Sequence, residues 1–215
     1  MKIRKKPDDL VWGNFQHDEK LTDEQLEKFK AYESFLSQKN DEFNLTAITD
    51  LSGIVRQHFI DSLSIRKFAD LSKLSTIVDI GSGAGFPGIP LKIMFPHLQV
   101  ILLEVTNKKK IFLNDVIKIL ELDNITVCEY DWRTFLRITD YPVDLFVTRA
   151  AFDDEELCRA FKPGCKYKQV PIAYWASVLW EVSLKAVPFV KSVFDYKLGN
   201  KQRKMVFLGL KNDKS

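Results

Sequence analysis

The sequence predicts an α/β fold: a mostly parallel, doubly wound sheet with an antiparallel hairpin at its C-terminal end and a helical N-terminal cap. Three observations carry this. From about residue 75, short β-branched runs alternate with segments of helical period, the pattern of strands joined by crossover helices. The first such run enters a glycine-rich stretch and then a helix. Before it, apolar residues recur only at helical spacing. With 215 residues, 46% of them hydrophobic, the chain is long enough for one sizeable core. The expected division is a cap over 1–72 and a core over 73–215, forming one compact unit.

Thr22-Asp-Glu-Gln25 is a capping box, in which a Thr hydroxyl and a Gln side chain satisfy each other's orphan amides. It opens a helix over about 22–40 through Leu26, Phe29, Tyr32, Phe35 and Leu36. A second amphipathic helix over about 52–69 runs through Ile54, Val55, Phe59 and Leu63. Strands follow at 76–80, 100–104, 125–128 and 143–147. Helices are read at 89–95 and 108–121. A further helix, capped by Asp153 or Asp154, ends before Gly164. Residues 189–198, the turn Gly199-Asn200 and residues 205–210 read as the hairpin.

Composition excludes several classes. No window reaches the ~20 apolar residues of a membrane-spanning helix. The basic start, Met1-Lys-Ile-Arg-Lys-Lys-Pro7, lacks the apolar run of a secretory signal. Cys128, Cys158 and Cys165 are an odd number at no metal-ligand spacing. They argue against a disulfide framework, fit a reducing cytoplasm and suggest no metal. The net charge of +3 hides an asymmetry. Residues 1–158 hold 20 Lys+Arg against 26 Asp+Glu, and residues 159–215 hold 12 against 3. A segment with a net +9 suggests a polyanionic partner, with a solvated basic face as the alternative.

The stretch Gly81-Ser-Gly-Ala-Gly-Phe-Pro-Gly88 marks a nucleotide-cofactor site, because glycines let a ligand approach the backbone. Gly83-x-Gly85-x-x-Gly88 formally matches the dinucleotide fingerprint. Two features oppose a dinucleotide. Pro87 and Pro90 remove amide donors from the helix start, and Asp79 would face a pyrophosphate with like charge. A carboxylate there suits a cationic ligand such as S-adenosylmethionine. Asp79-x-Gly81-x-Gly83-x-Gly85 is the arrangement of class I methyltransferases with a Rossmann-like sheet. Glu104, about 20 residues past the loop, can accept from ribose hydroxyls with either cofactor. Asp131, after the third strand, can meet an adenine amino group. Strand-end solvation is the alternative reading of both acids.

Asn44-Leu-Thr-Ala47, His58-Phe-Ile-Asp-Ser62, Asp79-Ile-Gly-Ser-Gly-Ala-Gly-Phe-Pro-Gly-Ile-Pro-Leu91 and Thr148-Arg-Ala150 occur in this order. With them the chain resembles the bacterial small-subunit ribosomal RNA methyltransferase G family, also called glucose-inhibited division protein B, over about residues 22–164. The resemblance implies methyl transfer from S-adenosylmethionine to N7 of a guanine in 16S ribosomal RNA, with the RNA or the small ribosomal subunit as partner. It implies cofactor contacts at Gly81, Phe86, Trp132, Arg133 and Arg149. Two positions depart from the family pattern. An Arg-x-Glu is usual where this chain reads Asp131-Trp132-Arg133, which makes Asp131 the expected polar contact. A Lys-Gly usual at the end of the fifth strand is missing after Lys162-Pro-Gly164.

Guanine N7 has a free lone pair, so attack needs positioning rather than a base. The scattered His17, His58 and His97 fit that expectation. Arg149, at the carboxyl edge of the fourth strand, is the candidate catalytic residue by positioning. It could hold an RNA phosphate, the cofactor carboxylate or the guanine edge, or a plain surface ion pair. His58, Asp61 and Ser62 either bond the cap to the sheet or line the cleft. Lys108, Lys109 and Lys110 open a helix, where cations oppose the macrodipole, and are candidate phosphate contacts. Lys162, Lys166, Lys168, Lys201, Arg203 and Lys204 are the further RNA candidates, interleaved with Tyr167, Tyr174, Trp175 and Trp180. The rival readings are a class I methyltransferase for another RNA, a protein or a small molecule, an NAD-dependent oxidoreductase, and a degenerate RNA-binding module. A monomer is expected.

Overall fold

The computed structural model describes residues 7–149 and 153–210. Ala150, the end of the Thr-Arg-Ala motif, lies outside them. Five strands run parallel: β1 (Thr76–Ile80), β2 (Gln99–Leu103), β3 (Ile125–Cys128), β4 (Leu145–Arg149) and β5 (Ile172–Ser177). The hairpin strands β6 (Val190–Leu198) and β7 (Lys201–Leu208) complete the sheet in the order β3-β2-β1-β4-β5-β7-β6. The expected hairpin is present, with β7 antiparallel between β5 and β6. The order reverses between β1 and β4, and in open α/β sheets that switch point opens a crevice at the carboxyl ends of the strands.

Alternation along the strands separates two cores. Ile77, Val100, Leu102, Leu145, Val147, Ala173, Trp175 and Met205 pack with the cap. Val78, Ile80, Ile101, Leu103, Phe146, Ile172, Tyr174 and Val206 face the other way, onto Trp132, Phe135 and Phe161. Arg149, two residues beyond Val147, therefore shares the cap's face of the sheet.

The cap begins with α1 (Pro7–Glu19), a helix not expected from the sequence although Pro7, Asp8 and Asp9 stand at its start. Helix α2 (Asp23–Phe43) has the expected capping box, Gln25 N donating to Thr22 Oγ1 at 3.2 Å and Thr22 N to Gln25 Oε1 at 3.0 Å. The expected second helix is four consecutive pieces. These are α3 (Leu51–Ile54), a π-helix (Val55–Ile60), α4 (Asp61–Leu63) and a 3-10 turn (Ser64–Lys67). The wider π turn carries Gln57 and His58 and delivers Asp61 at its end. Phe59 anchors this segment, its ring centroid 4.9 Å from Phe29, 5.5 Å from Tyr32 and 6.0 Å from Phe15.

Three helices follow strands as predicted: α5 (Gly88–Met94), α6 (Asn107–Ile119) and α8 (Asp154–Leu157), the last capped by Asp153. Helix α7 (Trp132–Ile138) and strand β5 are present without having been expected. No described helix is long and apolar enough to cross a membrane.

Phe59 is fully buried. Phe59→Ala should lower unfolding stability by about 3–5 kcal/mol, read from the denaturant midpoint at unchanged m-value.

Candidate functional site

A cleft of about 420 Å³ opens at the switch point, lined by Leu45, His58, Gly81, Ser82, Gly83, Ala84, Phe86, Glu104, Lys109 and Arg149. That volume lies within the range of small-ligand sites. Gly81, Gly83, Phe86, Glu104, Lys109 and Arg149 of the sequence candidates meet there. Gly85 is buried within the loop, and Asp79 lies just behind the loop and holds it.

The loop spends four of its amides on the protein. Ser82 N donates to Leu103 O, Gly83 N to Glu104 Oε2 at 3.0 Å, and Gly85 N and Phe86 N to Ser82 O. At the start of α5, Gly88 N donates to Asp79 Oδ2 at 2.8 Å and Ile89 N to Gly85 O. With Pro87 and Pro90 lacking donors, the helix start offers no amide row to a pyrophosphate. A Cβ at Gly88 would lie 2.8 Å from Asp79 Oδ2 and 2.4 Å from Leu102 Cδ2. Asp79 thus pins the loop from below instead of lining the cleft. Its Oδ1 is buried without a partner. Burial pushes this carboxyl up to about 7, against the pull of Gly88 N and Arg149.

Gly85 (φ 95°) leaves no room for a side chain: a Cβ would sit 2.5 Å from Ile89 Cδ1 and 2.7 Å from the Tyr32 hydroxyl. Tyr32 of α2 donates to Ala84 O and stacks on Phe86 at 5.3 Å. The cap therefore shapes the loop directly. Glu104 lies just past β2, its Oε1 accepting from Thr106 N at 2.8 Å and its Oε2 from Gly83 N. Each oxygen keeps a lone pair that a hydroxyl can use.

Arg149 reaches across the mouth. Its Nη1 donates to Gln57 O at 2.7 Å and Asp61 Oδ2 at 3.3 Å, and its Nη2 to His58 Nδ1 at 3.0 Å. Arginine only donates, so His58 Nδ1 accepts and His58 Nε2–H donates to Thr46 Oγ1 at 2.8 Å. Burial and the two guanidiniums, Arg149 and Arg203, push the His58 pKa down to about 3, so this imidazole is neutral at pH 7. It stacks on Phe86 at 4.5 Å, and Arg149 Cζ lies 5.2 Å from the same ring. Asp61 is fully buried. It accepts from Arg149, from Arg203 Nη2 at 3.1 Å and from the Tyr196 hydroxyl at 2.7 Å, while its backbone oxygen takes Trp175 Nε1 at 2.7 Å. Both readings of the His58–Ser62 element hold: His58 lines the cleft, and Asp61 bonds the cap to the sheet.

Asp131, Trp132 and Arg133 lie elsewhere, around a separate hollow with Asp153 and Glu156. Asp131 N-caps α7, its Oδ1 accepting from Thr134 N at 2.8 Å. The buried Trp132 indole donates to Glu156 O, and Arg133 forks onto Glu156 at 2.7 and 2.9 Å.

The basic candidates fall on two edges of the sheet. Lys166 pairs with Asp140 at 3.8 Å, and Tyr167 bonds Thr139 and the Tyr141 amide, at the amino end of β4. Lys162, Lys166 and Lys168 precede β5 and so lie at the edge opposite the cleft. Lys108 and Lys109 begin α6 at the cleft edge, with Lys110 paired to Glu129 at 3.1 Å. Lys201 and Arg203 also lie at the cleft edge, on the cap face. Lys204 points to the other face and donates to Trp180 O at 3.0 Å. The aromatic residues Tyr167, Tyr174 and Trp175 are core. Among the described residues no group of three or more His, Cys, Asp or Glu is placed to hold a metal ion.

Three residues belong to the site without being legible as such in the sequence: Tyr32, Asn40 and Tyr196. Asn40 holds the 44–46 loop, accepting from Leu45 N at 3.0 Å and Thr46 N at 2.8 Å. All three read as ordinary helix or strand positions, and their polar tips carry no spacing signal.

A family model described as rRNA small subunit methyltransferase G matches residues 25–186. Proteins named ribosomal RNA small subunit methyltransferase G are similar to this chain. That of Lysinibacillus sphaericus is 47% identical over 105 residues, 49% of this chain and 44% of that protein. That of Lachnoclostridium phytofermentans is 40% identical over 148 residues, 68% and 61% of the two chains. The chain thus spans about half the length of the curated relatives it matches. Two solved structures share the fold. One, a mutant of MtNAS in complex with S-adenosylmethionine, has a TM-score of 0.59 at 15% identity, covering 95% of this chain and 88% of that one. The other, an S-adenosylmethionine-dependent methyltransferase from Aquifex aeolicus, has a TM-score of 0.56 at 16% identity, covering 80% and 98%.

Asp61→Asn strips a buried partner from two guanidiniums and should cost about 3–5 kcal/mol. Tyr196→Phe, which leaves the charge in place, should cost about 1.5–3 kcal/mol. Chemical denaturation of both variants checks the order. Asp79 carries a pH signature. Its folded pKa lies above the ordinary 3.8, so the folded state keeps a proton that the unfolded chain releases. Its contribution to stability is full below about pH 4 and declines as pH rises toward 7. Asp79→Asn should therefore gain on the wild type with rising pH in this window. A difference in unfolding free energy independent of pH would contradict the assignment.

Proposed function

The chain belongs to the rRNA small subunit methyltransferase G family, and from that membership and the cleft we propose that it transfers a methyl group from S-adenosylmethionine to a guanine, at N7, in the small-subunit ribosomal RNA. The observation that carries the cofactor reading is the loop whose helix-start amides are consumed by Asp79 and Gly85. Such a loop has little for a pyrophosphate, while the acidic Glu104 beside it suits a ribose and a ligand with positive charge. The cleft volume and its polar lining fit the cofactor.

S-adenosylmethionine, when bound, supplies a methyl group activated on a sulfonium. Glu104 is the residue to hold its ribose, with the open face of Gly83 allowing close approach. A Cβ at Gly83 would meet only Gly81 O, at 3.9 Å, so the space in front of it belongs to a ligand. His58 and Phe86 form a flat stacked wall of the cleft. His58 is no base, because Arg149 occupies its Nδ1 lone pair and its pKa, pushed down to about 3, leaves it little affinity for a proton. Guanine N7 needs none: its lone pair is free, and the task is to hold it in line with the methyl group. Three of the five guanidinium hydrogens of Arg149 are taken by Gln57, Asp61 and His58. The other two can orient a carboxylate or a base edge in the cleft. The ribosomal RNA or the assembled subunit is the substrate, which implies a cytoplasmic reaction.

Methylated guanines mapped in small-subunit ribosomal RNA, with and without the protein, test this reading, and a gained N7-methylguanine is expected. Gly83→Asp puts a side chain and a charge into the ligand space at φ 60° and should abolish S-adenosylmethionine binding in calorimetry. Wild-type binding of NAD without any response to S-adenosylmethionine would overturn the cofactor assignment.

A further inference from the structure

The turn of the β6–β7 hairpin packs on the π-helix of the cap. A Cβ at Gly199 would lie 3.2 Å from Arg56 Cδ, and Lys201 Nζ donates to Gln57 Oε1. Gln57 in turn gives its backbone oxygen to Arg149. Two segments far apart in sequence thus place Arg56, Lys201 and Arg203 in a row on one side of the cleft mouth.

Their charge is largely uncompensated. Arg56 Nη2 donates to the neutral Ser52 Oγ at 3.0 Å, and Lys201 to a neutral amide. Arg203 faces Asp61 but shares that carboxylate with Arg149. Among the described residues, Asp61 is the one acid that hydrogen-bonds or ion-pairs with Arg56, Arg149, Lys201 or Arg203. Lys185, by contrast, has Glu155 at 2.7 Å and Lys110 has Glu129 at 3.1 Å. Like charges gathered without counter-ions repel one another, and an anion in front of them relieves that repulsion.

We propose that Arg56, Lys201 and Arg203 form a phosphodiester-binding rim that receives the RNA backbone beside the target nucleotide. The inference rests on the RNA reading above and deepens it. Arg56 and Lys201 are exposed and make the outer contacts. Arg203, half-buried on Asp61, marks the inner end beside Arg149. Lys162 and Lys168, in the same basic part of the sequence, lie at the opposite edge of the sheet and take no part.

The test is the salt dependence of binding to small-subunit ribosomal RNA and to purified small subunits. Removing one phosphate-binding cation reduces the slope of log affinity against log salt by about 0.7 for a single strand. The double variant Arg56→Gln, Lys201→Gln should reduce the slope by about 1.4 on the same basis, with S-adenosylmethionine affinity unchanged in calorimetry. The charge-keeping pair Arg56→Lys, Lys201→Arg should retain the wild-type slope. Lys162→Gln with Lys168→Gln should retain it too. An unchanged slope in the first variant, an equal reduction in the opposite-edge variant, or a reduction in the charge-keeping pair would each overturn the rim. A wild-type protein that binds neither RNA nor subunit at any salt would instead overturn the RNA reading itself.

Discussion

One buried carboxylate ties this molecule together. Asp61 is supplied by the cap, yet its partners come from β4, from β6 and from β7, and its backbone oxygen is taken by a tryptophan of β5. A charge out of water is tolerable only when its partners are in place. Cap, parallel sheet and antiparallel hairpin must therefore close around it together. The same closure fixes Arg149, because the hydrogens it gives Asp61, Gln57 and His58 hold its guanidinium flat against the cleft mouth.

The glycine loop obeys a comparable constraint. Its backbone is held from below by Asp79, from the side by Glu104 and from above by Tyr32. A loop so held is already in shape before any ligand arrives, so little ordering remains to oppose binding. The cost is visible at Asp79, whose second oxygen has no partner and whose proton affinity is raised by burial.

Most of the fold is legible because its signals are local. The capping box at Thr22, the β-branched run at 76–80 and the glycine stretch each state their conformation within a few residues. Strand β5 is hidden because it is covered on both faces; Ile172-Ala-Tyr-Trp-Ala176 shows no alternation, as buried parallel strands do not, and its aromatics read as a nucleic-acid patch. Helix α7 has a signal, Asp131 followed by apolar Trp132, Phe135 and Leu136, but an acid just after a strand reads as an adenine contact as easily as an N-cap. The site divides the same way. Gly81, Gly83, Phe86, Glu104 and Arg149 can be named from motif and strand position. The partners that set their geometry, among them Tyr32 and Tyr196, are brought in by tertiary packing across 52 and 135 residues of chain, which no window along the sequence reveals. The basic tail shows the limit most sharply: charge counting sees one segment, and topology divides it between two edges.

The alternation of faces along β4 gives a short loop an unexpected importance. Tyr141 N is tied to the Tyr167 hydroxyl at 3.0 Å, and Asp144 Oδ2 accepts from Ser75 N and Thr76 N at 2.6 and 2.9 Å. These bonds set where β4 starts, and a strand that starts one residue early or late turns every side chain to the opposite face. Arg149 would then exchange places with Thr148 and leave the cleft altogether. The number of residues between Tyr141 and Leu145 is thus as much a part of the site as the arginine itself, and a lineage could change the letters of that connection far more freely than its length.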